Sequence, residues 1–186
     1  MCCELLAYIS NHSEKIVEEQ IGIIGKPRRQ AWKEVEDALD KGQVMVDVAE
    51  EALGETVVYQ SPDGSVVKRQ QYDPVGVVLG LLPWEQPVFE SVTMAVAAIL
   101  GGNSLILKDH PDAPVFSKFL EQALDVEAPG LVQRCFLETT DVQRLLEENQ
   151  IQYLCFSGRY GTGLEVYHEL GRNNFIDFSL DIGGFN

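Results

Sequence analysis

The chain reads as an α/β protein: a parallel sheet with helices on both faces, preceded by N-terminal helices and a β-hairpin. Three observations predict this. From Pro74 onward short apolar runs alternate with helical patterns. Before Leu53 the apolar residues recur at helical intervals. Between the two zones, a turn sequence separates two β-rich runs. Strand–helix alternation with short connections implies right-handed βαβ units and hence a parallel sheet.

In chain order, Leu5, Ile9, Ile16 and Ile23 mark a helical zone that Gly25-Lys26-Pro27 interrupts, because proline lacks a donor and restricts its predecessor. A second helix from Arg28 or Gln30 to Leu53 carries Trp32, Val35, Leu39, Val46 and Ala49 along one side. Thr56 to Tyr59 and Val66 to Gln70 flank Ser61-Pro62-Asp63-Gly64, which predicts a hairpin. Strands are expected at Val75 to Leu82, Ser104 to Leu107, Leu131 to Leu137, Tyr153 to Phe156 and Phe175 to Leu180. The helices between them are expected at Phe89 to Leu100, Ala113 to Leu124, Thr140 to Glu148 and Thr162 to Leu170. The expected organisation is one domain over residues 1–186: helical 1–53, hairpin 54–73, and βα-alternating 74–186.

The length of 186 residues suits one domain with a sizeable core, and 45% hydrophobic residues argue against disorder. A formal net charge of −15, from 29 acidic and 14 basic residues, opposes nucleic-acid binding. The longest apolar stretch, Val92 to Leu100, is far short of the roughly 20 residues a bilayer span needs. The N-terminus lacks a basic n-region, so no signal peptide and no membrane are expected. Cys2 and Cys3 are adjacent and belong to a terminus expected to be mobile. Cys135 and Cys155 lie in strand-like runs as buried reduced thiols, which fits a cytoplasmic protein. The four cysteines have no metal-ligand spacing.

Open parallel sheets bind ligands beyond the carboxyl ends of their strands. Function is therefore expected at Pro83 to Gln86, Lys108 to Asp112, Gly158 to Gly163 and Asp181 to Gly184. Gly158 and Gly163 bracket the opening of a helix after a strand, where backbone N–H groups can face a pyrophosphate. Lys108 ends a strand, from which one cation can reach ribose hydroxyls or a phosphate. Taken alone, the glycines equally serve to turn the chain, and Lys108 to sit in solvent.

The same strand ends carry a family resemblance. Pro74-Val75-Gly76-Val77-Val78 through Leu82-Pro83-Trp84-Glu85-Gln86-Pro87 resembles the Pro-x-Gly-Val-Val…Pro-Trp-Asn-x-Pro of the aldehyde dehydrogenase superfamily. Ala97 to Ser104 resembles its Ala-Leu-Ala-Ala-Gly-Asn-Thr segment, and Leu107-Lys108 with Pro114 its Leu-Lys-Pro-Ser-Glu-x-x-Pro. Phe156-Ser157-Gly158 with Gly163 resembles Phe-Thr-Gly-Ser-x-x-x-Gly. Leu180 to Gly184 resembles Glu-Leu-Gly-Gly-Lys, and Gly25-Lys26-Pro27 with Glu34 the family's Gly-Lys-Pro…Glu helix pair. The Lys108-Asp109-His110 variant and Val132-Gln133 look closest to the succinate-semialdehyde dehydrogenase branch. The resemblance implies a Rossmann-like sheet and a site for NAD or NADP. Its cofactor contacts would be Leu82, Pro83, Trp84, Lys108, Gly158, Arg159 and Gly163.

Four positions depart from the family pattern. Glu85 stands where an asparagine stabilises the substrate oxyanion, and a carboxylate there repels developing negative charge. Pro111 aligns with the acidic residue that holds ribose hydroxyls, for which Asp112 substitutes only with a shift. Arg159 replaces a serine, and either pairs with phosphate or fills the site. Asp181 aligns with the glutamate general base and is one methylene shorter. The family's reactive cysteine lies a few dozen residues past Gly184, whereas this sequence stops at Asn186.

The resulting expectation is the N-terminal, cofactor-binding half of such an enzyme, inactive alone as a pseudoenzyme or fragment, with Glu85 and Asp181 as degenerate catalytic positions. The alternatives are an NAD(P)-binding component completed by another chain or by further sequence, and a protein-binding scaffold module. A homo-oligomer or a partner protein is expected to cover the exposed face of the sheet.

Overall fold

The computed structural model describes residues 1–148, 150–173 and 176–183. The N-terminal zone forms α1 (Cys2–Asn11), α2 (Ser13–Ile24) and α3 (Arg28–Leu53). The helical pattern up to Gly25 is not one continuous helix. The Ser13 hydroxyl donates to the carbonyls of Ser10 (2.7 Å) and Ile9 (3.1 Å), and the His12 ring bonds the Tyr8 carbonyl at 2.8 Å. These local bonds compete with the helical ladder and turn the chain at His12. Cys2 is buried in α1 rather than part of a mobile terminus, because Leu5, Leu6 and Ile9 seat that helix in the core. Ile23, by contrast, is exposed. Gly25 ends α2 with a φ of 68°, a left-handed conformation that favours glycine.

The hairpin pairs β1 (Thr56–Gln60) antiparallel with β2 (Val67–Gln70). Asp63 organises its turn by accepting from Ser61 Oγ (2.6 Å), Ser65 Oγ (2.8 Å) and the Ser65 amide (3.2 Å). Both strands are exposed along their whole length.

The remaining elements are β3 (Val77–Leu81), α4 (Pro87–Leu100), β4 (Ser104–Lys108), α5 (Ser117–Leu124), β5 (Val132–Cys135), α6 (Thr139–Glu147), β6 (Tyr153–Arg159), α7 (Tyr160–Asn173) and β7 (Asp177–Gly183). They form a parallel sheet of order β5-β4-β3-β6-β7. Alternation along the strands sorts side chains to two cores. Val78, Leu82, Leu105 and Leu107 pack with α4, α5 and the N-terminal helices. Leu79, Leu81, Leu154 and Phe156 pack with residues of α6 and α7. Each such fully buried side chain stabilises the fold by about 1.5–3 kcal/mol.

Several boundaries differ from the sequence reading. The fourth strand of the sheet runs on to Arg159 because β7 continues alongside it, pairing Arg159 with Gly183. Helix α5 begins at Ser117, not Ala113. The buried carboxylate of Asp109 accepts from the Ser117 amide (3.1 Å) and hydroxyl (2.5 Å), which sets the helix start. Strand β5 is shorter than expected at both ends. Phe175, the expected start of the last strand, and Gly184 lie outside the described residues.

One buried ion pair joins the helical zone to the sheet. Glu34, only 6% exposed, accepts through one oxygen from the amides of Val88 (2.8 Å) and Phe89 (3.1 Å) in the first turn of α4. Its other oxygen pairs with Lys26 Nζ, which also donates to the Glu85 carbonyl at 2.7 Å. A side chain of α3 thus caps α4 and holds the turn after β3. Glu34→Ala is expected to cost about 3–5 kcal/mol, since it strands a buried ammonium and uncaps a helix. Glu34→Gln, which keeps a carbonyl acceptor, should cost less. Urea unfolding followed by tryptophan fluorescence measures both, and near-wild-type stability of Glu34→Ala would contradict this account.

Candidate functional site

The chain order and the strand order together create a switch point. From β3 the chain moves outward through α4 to β4 and α5 to β5, with both helices on one face. It then crosses back through α6 to β6, on the other side of β3, and continues through α7 to β7. The segments leaving β3 and β6 therefore diverge to opposite faces, and a crevice opens between their carboxyl ends.

Two adjoining hollows that share Pro83, Glu85 and Ser157 to Arg159 occupy that place. The larger, about 800 Å³, is walled by Pro83, Glu85 and Gln86 after β3, Ser157 to Gly161 at the β6–α7 junction, Glu90, and Asp181 with Gly183. The smaller, about 160 Å³, adds Leu82, Trp84, His110, Asp112 and Thr162. All four strand ends expected from the sequence contribute to this region. Among the expected cofactor contacts, Leu82, Pro83, Trp84, Gly158 and Arg159 line it.

Lys108 and Gly163 stand differently. Lys108 closes β4, one strand away, with its carbonyl accepting from the Leu82 amide at 3.0 Å. It is half-buried and does not wall either hollow. Gly163 lies inside α7, where a Cβ would fall 2.9 Å from Ile182 and 3.1 Å from Phe156. Its bareness lets the helix pack closely on the sheet. At Gly161, by contrast, a Cβ would meet nothing within 4 Å, so this backbone is open toward the hollow. The first turn of α7 follows β6 with no intervening loop, and its leading N–H groups have no acceptor within the helix.

The departures from the family pattern gather here. Arg159 Nε lies 3.8 Å from Glu85 Oε1, and its guanidinium 5.9 Å from the centre of the Trp84 ring. Asp112 donates its amide to His110 Nδ1 (3.1 Å) and reaches the rim of the smaller hollow near Arg159. The loop thus brings Asp112, one residue past Pro111, to the crevice.

Glu90 was missed at the sequence level. It is the one acidic residue in the apolar run of α4, and that isolation was the available signal. It faces the larger hollow with Asp181. Burial pushes its carboxyl up to about 7, and the charges of Asp181 and Glu34 add to the effect. Three of the four thiols lean the other way from reactivity. Burial pushes Cys135 up to about 11 and raises Cys155 and Cys2 as well. Among the described residues there is no cluster of His, Cys, Asp and Glu able to hold a metal. Also among them, no helix is long and apolar enough to cross a membrane.

Known proteins share both the sequence pattern and this architecture. A D-glyceraldehyde dehydrogenase (NADP(+)) of Picrophilus torridus is 25% identical over 185 residues, covering 96% of this chain and 36% of that protein. A succinate-semialdehyde dehydrogenase [NADP(+)] of Deinococcus radiodurans is 29% identical over 113 residues, covering 60% of this chain and 24% of that protein. The crystal structure of succinic semialdehyde dehydrogenase from Streptococcus pyogenes, in complex with NADP+, superposes with a TM-score of 0.86 at 22% identity. That match covers 98% of this chain and 40% of the other. The chain thus spans two fifths or less of the length of each of these proteins. Residues 3–186 match the aldehyde dehydrogenase family, and the chain belongs to that family.

Proposed function

We infer that this chain supplies the NAD- or NADP-binding part of an aldehyde-oxidising enzyme and that its own thiols do not carry the chemistry. The switch-point crevice carries the first half of this reading. The first turn of α7 and the Arg159 guanidinium offer positive potential to a pyrophosphate, and the open backbone at Gly161 allows close approach. Lys108, at the end of the neighbouring strand about 4.8 Å over, is within side-chain reach of a ribose, with Asp112 at the rim. Three carboxylates, Glu85, Glu90 and Asp181, share the larger hollow and oppose a polyanion, which points to weak binding. Bound cofactor would accept the hydride; the chain's own residues would hold and orient it. The NADP-linked relatives named above support the cofactor class.

The thiol environments carry the second half. A nucleophilic cysteine needs an electropositive, partly exposed setting that lowers its pKa, and Cys2, Cys135 and Cys155 are all raised. With Glu85 in the oxyanion position, the chain by itself is then a cofactor-binding unit without turnover. Completion by further sequence or by another chain would supply the thiol.

A second reading rests on the hairpin. Val57, Val58, Tyr59, Val66 and Val67 are exposed, and a two-stranded hairpin is marginal alone in water. The geometry favours a second copy of this chain, or a partner protein, covering it.

Three outcomes are expected. NADH fluorescence should rise saturably on titration, with affinity about tenfold weaker in Lys108→Ala, while NAD and a short aldehyde give no turnover. No response at millimolar NADH would remove the site, and turnover abolished by Cys155→Ser would overturn the thiol argument. For Glu90, the folded state holds the proton more tightly than the unfolded one, whose carboxyl titrates near 4.5. The contribution of Glu90 to stability should therefore be greatest below that pH and be lost as pH rises toward about 7. Glu90→Gln should flatten that decline and gain on the order of 1–2 kcal/mol above it, discounted for partial exposure. A thermal-melt pH series unchanged by the substitution would refute this. Sedimentation at high concentration should show self-association that Val58→Lys weakens, and a strictly monomeric wild type that captures no partner protein would count against the hairpin as a contact face.

A further inference from the structure

We propose that Glu85 and Arg159 form a latch across the switch-point crevice, with Glu85 acting as an internal anion that competes with the cofactor's phosphates for Arg159. The proposal rests on the cofactor-binding reading above and adds to it what controls access and affinity. Glu85 belongs to the turn after β3, and Arg159 is the last residue of β6. These are the two strands between which the crevice opens. Both side chains wall the larger and the smaller hollow, and they meet over the gap at 3.8 Å.

Neither partner is placed by chance. The Glu85 backbone is held by Lys26 through its carbonyl at 2.7 Å, and Lys26 is itself fixed by Glu34. The Arg159 backbone is held by strand pairing to Gly183, while its guanidinium lies over the Trp84 ring. The pair is solvent-exposed, with Arg159 at 71% and Glu85 at 44%. Such a pair is weak and opens readily. A pyrophosphate offers Arg159 more negative charge and a bidentate geometry, so it can displace the carboxylate. In the closed state the chain neutralises its own anion site. In the open state Glu85 swings off Arg159, and the first turn of α7 is exposed beside the freed guanidinium.

The test is a double-mutant cycle read by isothermal titration calorimetry, with ADP-ribose as the probe because it carries the pyrophosphate without the nicotinamide. Glu85→Gln should tighten binding by about two- to fivefold, the range that an exposed ion pair's strength allows. Arg159→Ala should weaken binding. The cycle separates a latch from simple repulsion. If Glu85 acts by holding Arg159, Glu85→Gln should have at least twofold less effect in the Arg159→Ala background. An equal fold-change in both backgrounds would overturn the latch and leave only long-range charge repulsion. Wild-type binding that Glu85→Gln does not alter would overturn the latch while the cofactor reading stands. Absence of binding in all four proteins would remove both.

Discussion

The position of the crevice depends on a carboxylate that belongs to neither of its walls. Glu34 lies in α3, yet it accepts the amides that open α4 and pairs with Lys26, which in turn grips the carbonyl of Glu85. A charged group this buried is tolerated only when every oxygen is satisfied, and here both are. The arrangement fixes the angle at which α4 leaves the sheet. It thereby fixes the Leu82–Gln86 turn that forms one side of the crevice. Helix α4 then carries Val92, Ala95, Val96 and Ile99 into the core, so a single polar contact registers a large apolar interface.

From that constraint the electrostatics of the crevice follow. A fixed β3 turn puts Glu85 opposite the end of β6, and the first turn of α4 puts Glu90 beside Asp181. Acidic groups therefore crowd a place where the fold offers a helix N-terminus and an arginine to an anion. The two tendencies offset each other: helix and guanidinium attract phosphate, while the carboxylates resist it. Glu90 responds by holding its proton to about pH 7, and Glu85 by pairing with Arg159. Burial raises the thiols of Cys2, Cys135 and Cys155, the opposite of the electropositive, partly exposed setting that a reactive thiol needs.

Much of the fold was legible in the residues. Short apolar runs marked every strand of the parallel sheet among the described residues, and the turn sequence Ser61 to Gly64 marked the hairpin. Boundaries were less legible where a distant partner decides them. Ser117 starts α5 because Asp109 reaches it, and β6 runs to Arg159 because β7 lies beside it. The break at His12 was hidden for a different reason. Side-chain bonds to nearby carbonyls leave the apolar period unchanged while the helix ends.

What the sequence alone determined is the class of the protein: alternating period-two and helical patterns, turn residues at strand ends, and the Pro-Trp, Lys and Phe-Ser-Gly signatures that carry the family resemblance. These are local properties, set by backbone sterics and by which face of each element is apolar. Only the tertiary structure decided that Gly163 serves packing and Gly161 openness, that Asp112 rather than Pro111 reaches the rim, and that Glu85 and Arg159 meet. Residues 74 positions apart in the chain become partners only when β6 crosses back to lie beside β3. Charge pairing depends on distance in space, and that distance is set by the sheet order, which local patterns leave open.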